Sequence, residues 1–128
     1  MTSFLVSAGC GRDEPSFVSV LLPTDTYDTA GPYRVEAQVF AANGVFRMLM
    51  RLQQATDSEV FGDLRFQVVE EEGDGGRYLL ELPGRPAGTW FRYYLQVVDG
   101  KSKGGGRIAT YPDGAPATLA EFCVLPCE

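Results

Sequence analysis

Seven stretches of this chain alternate apolar and polar residues with a period of two, and no other sequence feature restricts the fold as strongly. In the stretch YRVEAQVF (33–40), residues 33, 35, 37 and 39 are apolar, whereas Arg34, Glu36 and Gln38 between them are polar. Successive side chains of a β-strand point to opposite faces of its sheet. The pattern therefore predicts strands that bury one face and expose the other.

The same alternation recurs along most of the chain. The seven candidate strands are SFVSVLLP (16–23), PYRVEAQVF (32–40), GVFRMLMRLQ (44–53), DLRFQVVEE (63–71), RYLLELPG (77–84), TWFRYYLQVVDG (89–100) and TLAEFCVL (118–125). In the third strand residues 46, 48, 50 and 52 are expected to face the core, and in the fourth residues 64, 66 and 68. The fifth and sixth should bury residues 78, 80 and 82 and residues 91, 93, 95 and 97.

The segments between the candidate strands carry the chemistry of turns. The chain has 15 glycines and 8 prolines, and Asn43-Gly44 suits a tight turn with a positive φ. The stretch DGKSKGGGR (99–107) is predicted to be a loop between the last two strand regions, and no stretch sustains a helical period. These features predict an all-β fold, a single antiparallel seven-stranded β-sandwich that is immunoglobulin-like (Ig-like) or fibronectin type III-like.

Composition argues against several classes of function. The chain has no histidine, which removes the commonest general base and the commonest zinc ligand. Its formal net charge of −6 makes nucleic acid an unexpected partner. Three dispersed cysteines, and acidic stretches without the Asp-x-Asp-x-Asp-Gly order of a calcium loop, predict no metal site. We therefore expect no catalytic residue and no cofactor, and a protein that is not an enzyme.

From Phe17 onward the chain carries a spaced set of glycine, proline and aromatic residues. They are Leu82-Pro83-Gly84, Gly88-Thr89, Tyr93-Tyr94, Asp99, Pro112 and Pro116. With them the chain resembles modules appended to secreted and surface proteins of bacteria, which are Ig-like or fibronectin type III-like sandwiches. The resemblance implies an exported domain at the bacterial envelope or outside the cell. Such modules serve as spacers, docking units or ligand binders, so the expected partner is a protein or glycan at the cell surface.

Cys10 lies in a stretch that is similar to the end of a bacterial lipoprotein signal. Ala8-Gly9-Cys10 fits the last three places of such a signal, although Ser7 stands where leucine is usual and no basic region precedes it. Two hypotheses stay open: Met1 lies inside a longer signal, or the similarity is accidental. In the first case Cys10 is lipidated and attaches the chain to a membrane. We expect residues 1–15 to be an N-terminal signal remnant or tether and residues 16–128 to be the Ig-like sandwich domain.

The other two cysteines lie near the C-terminus. Three cysteines cannot all pair within the chain, and the ends of a seven-stranded antiparallel sandwich lie at opposite poles, so Cys10 is the expected unpaired one. Cys123 and Cys127 would be about 13 Å apart along an extended strand, so a bridge requires Leu125-Pro126 to reverse the chain. We predict that disulfide; the alternative is a buried Cys123 and a free Cys127 thiol.

Three aromatic residues are candidates for a ligand-binding surface. Trp90 and Tyr94 lie on the strand face opposite Phe91 and Tyr93, and Phe40 of the second strand could join them. An exposed aromatic row on a sandwich can bind sugars by stacking or can dock a protein. The alternative is a second face covered by a loop or a neighbouring domain. The expected function is thus a structural or protein-binding domain, with a carbohydrate-binding module or a subunit of an extracellular assembly as alternatives.

Overall fold

Residues 15–55, 62–100 and 107–127 are described by the computed structural model of the chain. Within those ranges all regular structure is β-strand, and nine strands form two antiparallel sheets. In chain order they are β1 (Ser16–Leu21), β2 (Tyr33–Phe40), β3 (Val45–Ala55), β4 (Gly62–Arg65), β5 (Gln67–Glu72), β6 (Gly75–Leu82), β7 (Trp90–Asp99), β8 (Ile108–Tyr111) and β9 (Ala120–Cys123). The predicted all-β class is confirmed.

The two sheets differ in size and order. The four-stranded sheet has the order β1-β2-β6-β5. The five-stranded sheet has the order β4-β3-β7-β8, and β9 pairs with the first half of β7. The inward sides of both sheets supply one shared hydrophobic core.

The prediction of seven strands is wrong, because the stretch 63–71 forms two strands in different sheets. β4 pairs with β3, whereas β5 pairs with β6. Between them Phe66 is buried in the core, and its N–H donates a hydrogen bond to the Met48 carbonyl oxygen at 3.3 Å. Alternation of apolar and polar residues shows which side chains face the core, but not to which sheet the strand belongs. A segment that crosses from one sheet to the other beside the core can therefore keep the same alternation.

A further strand that the sequence pattern does not predict is β8. It has only four residues and pairs with the second half of β7, from Leu95 to Val98. Its Tyr111 ring lies 5.9 Å from the Phe17 ring of β1, which links the two sheets along that edge. Four residues, none fully buried, are too few to give a recognisable period.

The core is organised around an aromatic cluster at one end of the sandwich. The rings of Phe91 and Phe122 stack with centroids 4.7 Å apart, and Tyr33 meets Phe122 edge-on at 5.4 Å. Tyr93 contacts Phe122 from a third direction. The inward residues predicted for β2, β6 and β7 are buried as expected.

Two predicted core residues are exposed instead. Phe46 is 45% exposed because the register shifts between Val45 and Arg47, which turns its side chain outward. Val68 is 55% exposed because it lies on the edge strand β5. A bulge and an edge strand both break the rule that alternate residues are buried.

Polar contacts at the Tyr33 end fix the loops beside the cluster. The Tyr33 hydroxyl donates to the Asp28 carbonyl oxygen at 2.6 Å and accepts from the Arg85 N–H at 3.1 Å. The Asp28 carboxylate caps the backbone of Ala30, and the Asp25 carboxylate accepts from the Cys123 N–H at 2.9 Å. The carboxylates of Asp25 and Asp28 therefore hold the backbone at this end of the sandwich in place.

The opposite end is closed by the turn that the sequence indicated. Gly44 has a φ of 81°, as the Asn43-Gly44 pair predicts. The Asn43 side-chain amide donates to the buried Asp99 carboxylate at 3.0 Å, and the Gly100 N–H donates to the Gly44 carbonyl oxygen. This turn joins β2 to β3 and so connects the two sheets.

Replacing Phe122 by alanine should lower the free energy of unfolding by about 3–5 kcal/mol, because it opens a cavity in the centre of the aromatic cluster. The matched variant Phe46→Ala removes the same side chain from an exposed site and should cost less than about 1 kcal/mol. Equilibrium denaturation with urea measures both. Equal losses would contradict the core described here.

Candidate functional site

The three aromatic residues predicted as one surface lie on two different faces. Trp90 and Tyr94 point outward from β7 in the five-stranded sheet, whereas Phe40 points outward from the end of β2 in the four-stranded sheet. The outer faces of a sandwich point in opposite directions. Phe40 therefore does not join the other two, and the fold does not assemble the three-residue platform.

A polar layer covers much of the outer face of the five-stranded sheet. Arg51 lies opposite Tyr94 on the neighbouring strand and donates a hydrogen bond to the Gln96 side chain at 3.4 Å. It also forms an ion pair with Asp63 at 2.6 Å. Long arginine side chains can shield apolar surface while keeping their charge in water. Tyr94 is accordingly only 8% exposed, although it lies outside the core.

The remaining part of that face follows the same pattern. Leu49 and Val98 are buried although they point outward, and Arg92 forms an ion pair with Glu121 at 3.6 Å. Trp90 is half-buried at the start of β7. Besides these paired charges and the partly exposed indole, this face exposes the side chains of Phe46 and Ile108. Within the described residues it carries no row of exposed aromatic rings.

The outer face of the four-stranded sheet, which we name the four-strand face, exposes apolar side chains. Val18, Leu21, Phe40 and Val69 are 59%, 61%, 37% and 54% exposed. Val18 and Val69 lie where the register of β1 and β5 shifts, so each is an extra residue in its edge strand. Bulges of this kind re-aim side chains at sheet edges.

A first hollow on the four-strand face is centred on Gly75. This glycine lies between Phe40 on β2 and Glu72 on β5, directly opposite both. Its φ is 143°, and a Cβ there would overlap the Val39 carbonyl oxygen, so the position requires glycine. Gly75 is among the residues that line a hollow of about 200 Å³. Val18 and Phe40 line one side of it.

The other side of the first hollow is acidic. Glu70, Glu72 and Asp74 line it, together with Arg77. Arg77 forms an ion pair with Glu70 at 3.2 Å. Glu72 and Asp74 form no ion pair with any residue that the structure describes. The hollow thus has an apolar wall, an acidic wall and a backbone floor.

A second hollow of about 260 Å³ adjoins the first along the same face. Leu21 and Val69 supply its apolar lining, and Glu36 lies at its edge. Gln38 and Arg77 border both hollows. The four-strand face therefore carries two neighbouring depressions in an otherwise flat sheet.

Two tyrosine hydroxyl groups of the core have a raised pKa. The Tyr78 hydroxyl donates to the Glu71 carboxylate at 3.3 Å, and burial, with the Glu71 charge and this bond, raises the pKa of Tyr78 to about 12. Burial and the neighbouring Tyr111 raise the pKa of Tyr93 as well. Among the described residues no group of three cysteine or acidic side chains is placed to hold a metal ion.

The C-terminal cysteines lie close together at the Tyr33 end. The Cα atoms of Cys123 and Cys127 are 6.4 Å apart and their sulfurs are in contact, which is within the span of a disulfide. β1 begins at Ser16 beside Phe40, at the opposite end of the sandwich from Cys123. Cys10, the predicted lipidation site, and residues 1–14 of the predicted tether lie outside the described residues.

The sequence contained two signals for the four-strand face. SFVSVLL has apolar residues at outward positions, and Gly75-Gly76 extends the pattern of RYLLEL into what looks like a turn. Val18 and Gly75 indicate a shared surface only when the pairing register of β1, β2 and β6 is known. The sequence pattern of a single strand does not give that register.

Comparison with models of known protein families finds no match, and no curated protein is significantly similar in sequence. The described part of the chain contains no helix that could cross a membrane. The class is therefore defined by the fold: an all-β protein of two antiparallel sheets, sandwich-like in arrangement, with an exposed apolar and acidic outer face.

We expect the cysteines to differ in reactivity. In the full chain purified from cells that express it without upstream sequence, so that Cys10 carries no lipid, Cys123 and Cys127 should resist alkylation under non-reducing conditions because their sulfurs are bridged. Cys10 should be modified in the same sample. Mass spectrometry of alkylated peptides measures this, with a reduced sample as the control. Alkylation of Cys127 without reduction would show a free thiol and contradict the bridge.

Proposed function

We propose that this chain is a non-enzymatic, exported β-sandwich module that acts as a structural or protein-binding domain at a bacterial envelope or cell surface. The observation that carries the proposal is the four-strand face. It exposes Val18, Leu21, Phe40 and Val69 together, around two hollows. Exposed apolar groups that lie together on a sheet are typical of protein interaction sites.

The connectivity supports an immunoglobulin-like type for this module. Strands β1-β2-β6-β5 facing β4-β3-β7-β8 follow the order of an Ig sandwich whose second sheet has one added edge strand. Such sandwiches hold loops and sheet faces rigidly for display.

A protein partner suits the exposed surface better than a sugar does. Sugar binding needs flat aromatic rings that are accessible for stacking. Tyr94 is nearly buried and Phe40 lies on the other sheet from Trp90. The four-strand face instead offers aliphatic side chains with carboxylates at their border.

An anchor at Cys10 would hold this module close to a membrane. Five residues, 11–15, lie between Cys10 and the first residue of β1. Even fully extended, that segment spans only about 20 Å. The sandwich would therefore work near the membrane surface rather than at the end of a long stalk.

Site-specific photocrosslinking in cells tests the binding surface. Benzoylphenylalanine at Leu21 or Val69 should form covalent adducts with a protein partner. The same probe at Ile108, an aliphatic residue of similar exposure on the other sheet, should form none of them. Immunoblots of irradiated cells measure the adducts. Identical adducts from all three positions, or none from Leu21 and Val69, would overturn the proposal.

Lipidation of Cys10 is tested by fractionation of cells that express the chain from its own locus with the upstream sequence. Cys10→Ser should move the protein from the membrane fraction to the soluble fraction, because serine provides no thiol for the lipid. Cys127→Ser is the control and should stay with the membrane. A wild-type chain that is already soluble would contradict the anchor.

A further inference from the structure

We propose that the first hollow of the four-strand face receives a lysine or arginine side chain from a separate protein partner. The inference rests on the proposed protein-binding function and adds the chemistry of what is bound. It is carried by the juxtaposition of an apolar wall, a backbone floor at Gly75 and an acidic wall.

The shape of the hollow fits a long side chain with a charged end. Val18 and Phe40 offer apolar contact along one side, and Gly75 leaves the sheet surface open between Phe40 and Glu72. Lysine and arginine carry aliphatic stems that pack on apolar groups while their heads remain solvated. The Phe40 ring also attracts a cation at its face.

The negative charge around the first hollow favours a positively charged side chain. Three carboxylates, those of Glu70, Glu72 and Asp74, border it, against the single guanidinium of Arg77. Arg77 is already paired with Glu70. Glu72 and Asp74 have no ionic partner within the described chain. A basic side chain of the partner would supply it, through charge-assisted hydrogen bonds.

The second hollow extends the recognition to a neighbouring residue of the partner. It lies beside the first along β6 and is lined by Leu21 and Val69. Side chains two residues apart in an extended segment are about 6.6–6.8 Å apart and point the same way. An extended partner segment would therefore place a basic residue in the first hollow and an aliphatic residue, two positions away, in the second.

Titration of the isotope-labelled full chain with short extended peptides, followed by nuclear magnetic resonance, tests the proposal. The probe peptide carries one lysine and, two positions away, one valine, in a threonine background. In a second peptide arginine replaces the lysine, and in a third glutamine replaces it. In a fourth peptide serine replaces the valine. Amide signals of Phe40, Gly75 and Arg77 should shift with the lysine and arginine peptides. The glutamine peptide should bind at least about tenfold more weakly.

The protein variants isolate the acidic wall. The double variant Glu72→Gln/Asp74→Asn keeps side-chain shape and removes the two unpaired charges, so the lysine peptide should bind at least about tenfold more weakly. The matched control, Glu81→Gln/Asp113→Asn, removes two exposed charges away from the hollow and should bind as the wild type does. All four substitutions are at exposed positions, and thermal unfolding verifies that both variants fold.

Three results would overturn the proposal. The first is equal binding of the lysine peptide by the two double variants, and the second is a set of shifts located elsewhere on the sandwich. The third is dimerisation of the wild type, in sedimentation, that the Glu72→Gln/Asp74→Asn variant loses, since the occupant would then be a second copy of this chain. If the crosslinks at Leu21 and Val69 persist while any of these occurs, only the chemistry proposed for the partner fails. If those crosslinks are absent as well, the protein-binding function fails with it.

Discussion

The aromatic cluster around Phe122 joins the two sheets at the end of the sandwich where β2 and β7 begin. Phe122 comes from the C-terminal strand, Phe91 from β7 and Tyr33 from β2, so one contact holds together segments that are far apart in sequence. The Tyr33 hydroxyl then orders the loops on either side of it through Asp28 and Arg85. β2 in turn pairs with β6 along its whole length, which places Gly75 opposite Phe40.

The two outer faces differ in how their apolar side chains are covered. In the five-stranded sheet, three outward apolar residues of β3 and β7, namely Leu49, Tyr94 and Val98, lie opposite a long polar side chain. Leu49 lies opposite Gln96, and Tyr94 opposite Arg51. The four-stranded sheet carries extra residues at Val18 and Val69, and at Gly75 the neighbouring backbone leaves no room for a side chain. The centre of the first face is thereby covered, although Phe46 and Ile108 stay exposed. The four-strand face instead places exposed apolar side chains beside carboxylates that have no ionic partner within the described chain.

The alternation of apolar and polar residues predicts which side chains of a strand face the core, and this limits how much of the structure can be predicted from the sequence. It places the inward residues of 33–39, 78–82 and 91–97 correctly, because they face the shared core, but it does not predict that the outward Tyr94 is buried as well. It fails at Phe46 and Val68, where a bulge and an edge position decide exposure. It cannot separate β4 from β5, because the chain changes sheets at the buried Phe66 without losing the period. The candidate surface was missed for a related reason: Phe40, Gly75 and Glu72 become neighbours only through pairing across three strands.

The position of the first hollow bears on what can occupy it. Ser16 begins β1 directly opposite Phe40, and Phe40 lies opposite Gly75, so the hollow is at the end of the sandwich where the chain enters from residues 1–15. If Cys10 carries a lipid, that end is nearest the membrane. Anionic lipid headgroups would repel the carboxylates of Glu72 and Asp74. A basic segment of a protein at the membrane surface would be attracted by the anionic headgroups and by these carboxylates. An anchor at Cys10 and a cationic partner are therefore physically compatible.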